Sequence, residues 1–556
     1  MSVPHRQRHG DVQMFAERPL KATQIRFRWC ACVCGGDDQK WKNQDPWKKP
    51  HHLIPFAMRI RSAVLPDGDE RLLTSERPAY NRPTSRELIF MADLKLPDAL
   101  SAPPAEIVQH SMIRALRRHR NYRLFFGGQL ISLVGTFLTQ TATLWFVYRL
   151  TKSYALMGTI AFLGQLPLFI LTPFAGVVAD RVHRRRFIVW TQILSMVQSL
   201  GLAALAFYFG RTNPNMHVIV PGLIGLAAFQ GIVNAFDLPA RQAFIVEIVT
   251  DRADLPNAIA LNSTMVHGAR MIGPALAGLI IAFFGESMCF FLDGISYIAV
   301  IVALLAMHVV PLAPRKRGSV GAELIEGLKY AWHFAPIRTL LIFMALLSLT
   351  GMPAVQLLMP VFGDFFGRQV HFKGSFVYGA IGAFSGAGAL FGAVQLAARK
   401  SVLGLGRLIG ISVGVFGLAI LCFAFSRQLW ISLLIIPFAG WGMITAFASS
   451  NTIIQTLVDD DKRGRVMSLF GLAFLGMAPF GSKLAGFVAA RLTPAGGSDV
   501  MLSGASRTLL IASAVVLAGT LVYLAQLPAV RRAARPIYIQ KGILEETPLM
   551  AAVEES

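Results

Sequence analysis

Long stretches of this chain carry no Asp, Glu, Lys or Arg, and no other feature restricts its fold so sharply. A helix needs about 20 mostly apolar residues to cross a hydrocarbon core of about 30 Å. Twelve stretches are of that order. The first four are bounded by Arg123 and Arg149, Lys152 and Asp180, Arg186 and Arg211, and Arg211 and Asp237. The next two, 255–285 and 287–310, are interrupted once each, by Arg270 and by Asp293. A basic connector with Arg315, Lys316 and Arg317 follows. Then come 339–363, 374–398, 408–426, 428–458, 466–490 (interrupted by Lys483) and 508–530. Core helices of large soluble proteins rarely stay charge-free for so long. Helices are the economical reading, because backbone facing lipid must satisfy its own hydrogen bonds. The expected fold is an all-α membrane protein of twelve transmembrane helices. Composition agrees: 15% of residues are charged, against about a quarter in soluble domains.

The charges lie mostly between the runs, and Lys+Arg exceed Asp+Glu by 53 to 31, a net +22. The even-numbered connections hold Arg181, Arg184, Arg185 and Arg186; Arg241 and Arg252; Arg315, Lys316, Arg317, Lys329 and Arg338; Arg399, Lys400 and Arg407; and Lys462, Arg463 and Arg465. Both flanks of the hydrophobic region are basic as well. The odd-numbered connections hold only Arg149, Lys152, Arg211, Arg368, Lys373, Arg427, Arg491 and Arg507, a bias of about threefold. Positive charge marks the cytoplasmic side, so both termini are expected there. The same charges anchor loops beside anionic lipid. No zinc finger or basic DNA-binding helix accompanies them, and no nucleic-acid partner is expected.

Residues 1–120 form a basic extension without a span-length run, expected to be largely disordered. A short basic amphipathic helix is expected around 113–122, on the inner membrane face. Cys30, Cys32 and Cys34 alternate near the start, with His51 and His52 further on. The second ligand pair of a zinc ribbon is missing, so no metal site is expected. No secretory leader is expected, since no apolar h-region follows a basic start, and Met91 and Met112 would each serve as a shorter start. The expected organisation is this extension, a six-helix bundle over 121–310, a linker over 311–338, a second bundle over 339–530 and a tail over 531–556.

The two groups of six runs resemble each other. Gly268, Gly273 and Gly278 match Gly476, Gly481 and Gly486 at an offset of 208, with Leu-Ala-Gly closing both segments. Phe244-Ile-Val-Glu matches Ile453-Ile-Gln-Thr at 209, and Ala235-Phe236 matches Ala446-Phe447 at 211. Two parallel, pseudo-symmetric bundles follow. Small residues let helices approach and slide, and Pro274 removes a backbone donor beside Gly273. Gly268, Gly273, Pro274 and Gly278 are therefore the hinge and packing candidates.

Between the second and third runs stands Gly176-Val-Val-Ala-Asp180-Arg181-Val-His-Arg184-Arg185. It resembles the G-x-x-x-D-R-x-x-R-R/K signature of the major facilitator superfamily. The resemblance implies a latch for one conformational state, formed by Gly176, Asp180, Arg181, Arg184, Arg185 and a carboxylate on the fourth span, with Asp237 suitably placed. Further segments, Asp237-Leu-Pro239-Ala-Arg241, Leu255-Pro-Asn257-Ala, Gly273-Pro274-Ala-Leu-Ala-Gly278 and Arg463-Gly-Arg465-Val-Met-Ser468, together resemble the enterobactin-exporter-like branch, the transmembrane secretion effectors. That implies a bacterial inner-membrane exporter, driven by protons, for siderophore- or drug-like amphipathic molecules. Four departures weaken the coupling part: the Gly-Gly that closes the family's fifth-span antiporter motif appears here as Ala277-Gly278, and three more follow. Ala227 stands where many proton-coupled members carry Arg before Gln230-Gly231, the first run has no acidic residue, and the second copy of the loop signature is reduced to Arg399-Lys400.

A charge at mid-bilayer costs about 2.5–3.5 kcal/mol on insertion scales, so each needs a reason. Arg270, with His267 one turn earlier, either meets an anionic cargo or relays charge; the alternative is a structural pair of Arg270 with Asp293. Asp293 is either the proton site or an interfacial residue pointing at headgroups. Lys483 either faces the cavity or snorkels outward. Gln129, Gln140, Gln230, Asn234, Asn262 and Gln356 are polar enough to line a pathway or to bond helix to helix. There is no Walker loop and no hydrolase motif, so neither an ATP-driven pump nor an enzyme is expected, and no cofactor. The expected activity is alternating-access export of a small molecule with protons, by a monomer in the bilayer. Uptake, or a non-transporting receptor or scaffold on the same fold, are the alternatives.

Overall fold

The computed structural model describes residues 114–209, 215–309, 320–399, 401–494 and 498–544. Among them, twelve helices are long and apolar enough to cross a membrane, and no strand forms. In order the spans are Arg120–Thr151, Tyr154–Arg181, Arg184–Phe209, Met216–Ile248, Leu255–Phe284, Glu286–Leu305, Ala335–Gln369, Gly374–Ala397, Leu405–Phe425 and Leu429–Leu457. The eleventh joins Asp460–Gly471, a π-turn at Leu472–Gly476 and Ala478–Leu492, and the twelfth is Ser498–Gln540. A short helix, Arg114–Arg118, precedes them, and Val320–His333 stands between the sixth and seventh. Several helices outrun their charge-free stretches. The seventh continues to Gln369, because nothing in its charged end breaks a helix once the backbone leaves lipid.

Tight reversals set the neighbours. Lys152 closes the first span in the left-handed region (φ 48°), donating its N–H to Tyr148 O at 2.9 Å, and Ser153 Oγ accepts from Leu156 N at 3.3 Å to start the second. One residue, Gly285, separates the fifth and sixth spans, at φ 86°, where a side chain would be strained.

Packing repeats between the halves. The second span packs on the fourth as the eighth does on the tenth. The first packs on the fifth and sixth as the seventh does on the eleventh and twelfth, and the third and ninth sit outside, each against the fourth and sixth spans of its own six. The halves meet through two related seams, fifth against eighth and second against eleventh. The repeated glycines make both. A Cβ on Gly278 would lie 2.9 Å from Gly379 Cα, and one on Gly486 would lie 3.0 Å from Gly158 Cα. Such contacts let two backbones touch in lipid, where packing and not hydrophobicity drives association. Gly273 fits against Phe137 of the first span, and its counterpart Gly481 fits against Ser348 and Leu349 of the seventh.

The segment before the first span forms a short helix, Arg114–Arg118, with Arg117 and Arg118 exposed. It is pinned to the connection between the fourth and fifth spans. Arg114 Nε is 2.7 Å from Asp254 Oδ1, His119 Nε2 3.1 Å from Asp254 Oδ2, and Asn257 Oδ1 accepts from Ala115 N at 3.0 Å. Asp254 is buried, and Arg114 and His119 meet its charge there.

Candidate functional site between the two halves

Two ends of the bundle can be told apart by their connections, and among the described residues the bridging contacts gather at the end that carries the odd-numbered ones. Tyr148 and Lys152, closing the first span, both reach Asp364 on the seventh: Tyr148 donates its hydroxyl to Oδ2 at 2.8 Å, and Lys152 Nζ lies 3.1 Å away. Arg368 stands one turn on, 3.8 Å from the same oxygen. Trp145 stacks on Tyr378 of the eighth span with centroids 6.0 Å apart. Lys373, opening the eighth span, donates to the carbonyl of Ala282 near the end of the fifth. Deeper in, Phe480 of the eleventh span meets Phe162 and Phe169 of the second edge-on, at 5.6 and 5.5 Å. This plug of charge and aromatic surface ties the halves at the odd end; its charged members, Lys152, Asp364, Arg368 and Lys373, flank the sequence runs, and its aromatic members lie inside them. Asp364 lies one residue past the run 339–363, so the rule about charge inside a span does not single it out.

The charges inside the spans divide into two kinds. Asp293 is 1% exposed and sealed between the first, third and sixth spans. Ser199 Oγ donates to its Oδ2 at 2.6 Å, while Oδ1 accepts no hydrogen bond and sits where Gly135 leaves room, 2.6 Å from the Cβ that Gly135 lacks. It therefore neither points at headgroups nor pairs with Arg270. Arg270 instead sets its guanidinium over the Phe137 ring, 5.6 Å from the centroid. Its Nε is buried without a hydrogen-bond partner, as is Nδ1 of His267 one turn earlier. Gly268 between them faces open space, and Arg270 O lies where a Cβ on Gly386 of the eighth span would come within 2.9 Å. The pair thus sits at the seam between the halves, near mid-span. Lys483 Nζ crosses the second seam and donates to Thr159 Oγ1 at 2.7 Å, so it bridges halves.

Among the polar candidates, Gln230 bonds to Ser195 Oγ at 3.2 Å and to Asn234 Oδ1 at 3.1 Å, a helix-to-helix role. Gln129 is buried with both amide atoms unpaired, and Asn262 is half-buried. Gln140 and Gln356, on the related first and seventh spans, are exposed among buried neighbours. Pro274 packs against Gly379 and Gly382.

At the even end, the side chains of Gly176, Asp180 and Arg181 lie outside the described residues, as do the cysteines at 30, 32 and 34. Arg184 meets a fourth-span carboxylate, but that carboxylate is Glu247, at 3.7 Å. Asp237 lies three turns before the end of its helix, buried, and it takes Thr191 Oγ1 at 2.6 Å, Gln192 Nε2 at 2.9 Å and an ion pair with Arg241. The helix runs on past Asp237, which bounds the charge-free run, to Ile248, and that extension brings Glu247 to Arg184. Arg185 caps the sixth span, donating to Met307 O at 2.8 Å and to Leu305 O at 3.0 Å, where the helix end is negative. Among the described residues, no group of three His, Cys, Asp or Glu side chains gathers as a metal site.

Residues 113–540 match the family model for transmembrane secretion effectors. The chain belongs to that family. Three relatives agree with the assignment. The staphyloferrin A transporter of Staphylococcus aureus (strain NCTC 8325 / PS 47) is 24% identical over 65% of this chain and 88% of its own length. The multidrug efflux pump Tap of Mycolicibacterium fortuitum is 26% identical over 63% and 85%. The enterobactin exporter EntS of Shigella boydii serotype 4 (strain Sb227) is 25% identical over 68% and 88%. Among solved structures, the nucleoside transporter NupG aligns over 73% of this chain and 98% of its own at a TM-score of 0.58 and 12% identity. A bacterial homologue of the lysosomal transporter Spinster aligns over 75% and 98% at 0.55 and 12%. These likenesses show the fold of the major facilitator superfamily. This secretion-effector member is therefore a multi-pass membrane transporter for a small molecule and not an enzyme.

Proposed function

We propose that this chain exports small amphipathic molecules of the siderophore or drug class by alternating access, in exchange for protons, as a monomer in a bacterial inner membrane. Both termini and the even end then face the cytoplasm, and the state described here is closed to the outside by the Asp364 plug. Arg270 carries the reading. A cation held near mid-span, with Nε unbonded and an aromatic ring beside it, is stable only where it meets a partner of opposite charge for part of the cycle. We assign that partner to the cargo, with His267 beside it, and the pathway to Gln140 and Gln356 on the paired inner spans. Asp293, whose Oδ1 has no donor, is the assigned proton site. Asp180, Arg184 and Arg185 act as the even-end latch with Glu247 in place of Asp237, which serves the fold with Arg241. Everted vesicles supplied with a fluorescent dye or a siderophore in the outer medium test the reading. Uptake into them should collapse on adding a protonophore, and Arg270→Ala should weaken both binding and transport. Transport at the same rate with and without a proton gradient would remove the coupling, and an Arg270→Ala protein of unchanged affinity would remove the cargo site.

A further inference from the structure

The third and ninth spans hold the same outer place in the two halves, and they bury opposite chemistry. The ninth turns Ile409, Val413, Phe416 and Ile420 inward, and its buried Ser412 turns its hydroxyl back to Leu408 O of its own helix at 2.7 Å. The third buries Thr191, Gln192, Ser195, Gln198 and Ser199. A polar group buried in a membrane helix calls for a partner, and here the partners lead from one span to the next. Ser199 Oγ donates to Asp293 of the sixth span at 2.6 Å. Tyr297, also buried and one turn nearer the even end of that span, has its hydroxyl beside Ser195. Gln230 of the fourth span donates to Ser195 Oγ at 3.2 Å and to Asn234 Oδ1 at 3.1 Å, and both of these fourth-span residues are half-buried. The first span closes the other side, with Thr139 beside Asp293 and Thr136 beside Tyr297. Thr139 Oγ1 and Asp293 Oδ1 are neighbours, a donor and an acceptor, each buried without a hydrogen bond. Turning the threonine hydroxyl would join them.

We infer that Ser199, Tyr297 and Ser195 form a hydroxyl relay that carries protons between Asp293 and the fourth span at Gln230 and Asn234. The inference rests on Asp293 as the proton site and adds the route that such a site requires. A carboxylate 1% exposed does not meet bulk water, so its proton is exchanged through the groups around it. The row leads one helical turn toward the even end, from Asp293 to Tyr297 on the sixth span and from Ser199 to Ser195 on the third. Gln230 donates to the Ser195 oxygen and so leaves the serine's own hydrogen for Tyr297. In each hop a hydroxyl oxygen takes a proton on one side and releases its own on the other, so one proton moves and no bond is left changed. The titratable groups around the row are Cys289 and Tyr297 on the span of Asp293 and, beyond Tyr297, Arg241 with its partner Asp237 on the fourth. The first and third spans face it with hydroxyls and amides.

Full-length protein in a lipid film is followed by time-resolved infrared difference spectroscopy after a downward pH step, with no cargo present. The protonated-carboxyl band missing from Asp293→Asn belongs to Asp293. Tyr297→Phe and Ser195→Ala should each slow the rise of that band about tenfold and leave its final amplitude unchanged. That is less than the about 10²–10⁴-fold of a sole proton-transfer group, because the threonine hydroxyls remain beside the row. Tyr297→Phe keeps the packed ring and Ser195→Ala removes one atom, so either variant decides the matter where the other does not fold. Tyr523→Phe removes a hydroxyl of the second half that donates to Gly406 O at 3.0 Å, and should leave the rate unchanged. A band that rises as fast in both Tyr297→Phe and Ser195→Ala as in the parent overturns the relay and leaves Asp293 as the proton site. Equal slowing in Tyr523→Phe overturns it too, since the rate then follows packing in general. If Asp293→Asn loses no band, the proton site itself falls and the relay with it.

Discussion

Replacing Asp364 by Asn should shift the population from the odd-end-closed state toward an opened one. Two terms make up the size of the shift. The Lys152 pair is half exposed, with 47% of the lysine side chain and 23% of the aspartate accessible, and such a pair contributes about 0.2–1 kcal/mol. The Tyr148 hydroxyl donates to a charged oxygen at 2.8 Å, and exchanging that for a neutral acceptor loses roughly half of a contribution of about 1.5–3 kcal/mol. Together the loss is about 1–2.5 kcal/mol, or roughly 5- to 70-fold in the closed-to-open ratio. Spin labels at Tyr208 and Trp430, each 75% exposed at the odd ends of the two halves, read this by distance in a background lacking the five native cysteines. The long-distance population should grow on substitution and fall back with Asp364→Glu. A distribution unmoved by Asp364→Asn would mean that stacking of Trp145 on Tyr378 and the glycine seams hold this end, and that the charged plug is incidental.

Other outcomes follow from the same contacts. Gly278→Leu and Gly486→Leu each insert a side chain where two backbones touch; both should cut transport severely, at a packing cost of about 1–3 kcal/mol, while Gly268→Leu, in open space, should be mild. Transport rates in vesicles at matched expression check this. Arg241→Leu strands the buried carboxylate of Asp237 and should destabilise the protein by about 3–5 kcal/mol, seen as an earlier unfolding transition in detergent that Asp237→Asn partly restores. Asp293→Asn should leave cargo exchange down its own gradient intact and abolish accumulation driven by protons.

The spans were legible because lipid imposes a rule of length on every one of them, and the repeated Gly273 and Gly278 were legible because small residues at one spacing are rare by chance. What those glycines touch was not. Gly379 and Gly158 lie outside the matched segments, and their partners depend on how two bundles dock. The polar contacts were less legible still. Asp254 and Glu247 sit at helix ends where sequence offers many equivalent charges, and only the turn of the helix decides that Arg184 reaches Glu247 and not Asp237. Asp293 stood out as a lone carboxylate in an apolar run. Its hydrogen bond to Ser199 depends on the angle between the third and sixth spans, which no local pattern encodes.

The claim beneath all of this is that the seam between the halves opens to one side at a time. Single cysteines at Gln140 and Gln356, probed with a membrane-impermeant thiol reagent from each face, test it most directly. The account predicts labelling from the even end alone in the protein as it stands, and a gain of labelling from the odd end with loss from the even end when Asp364→Asn is combined with a proton gradient. Labelling from both faces in one condition, or from neither in any, would contradict it.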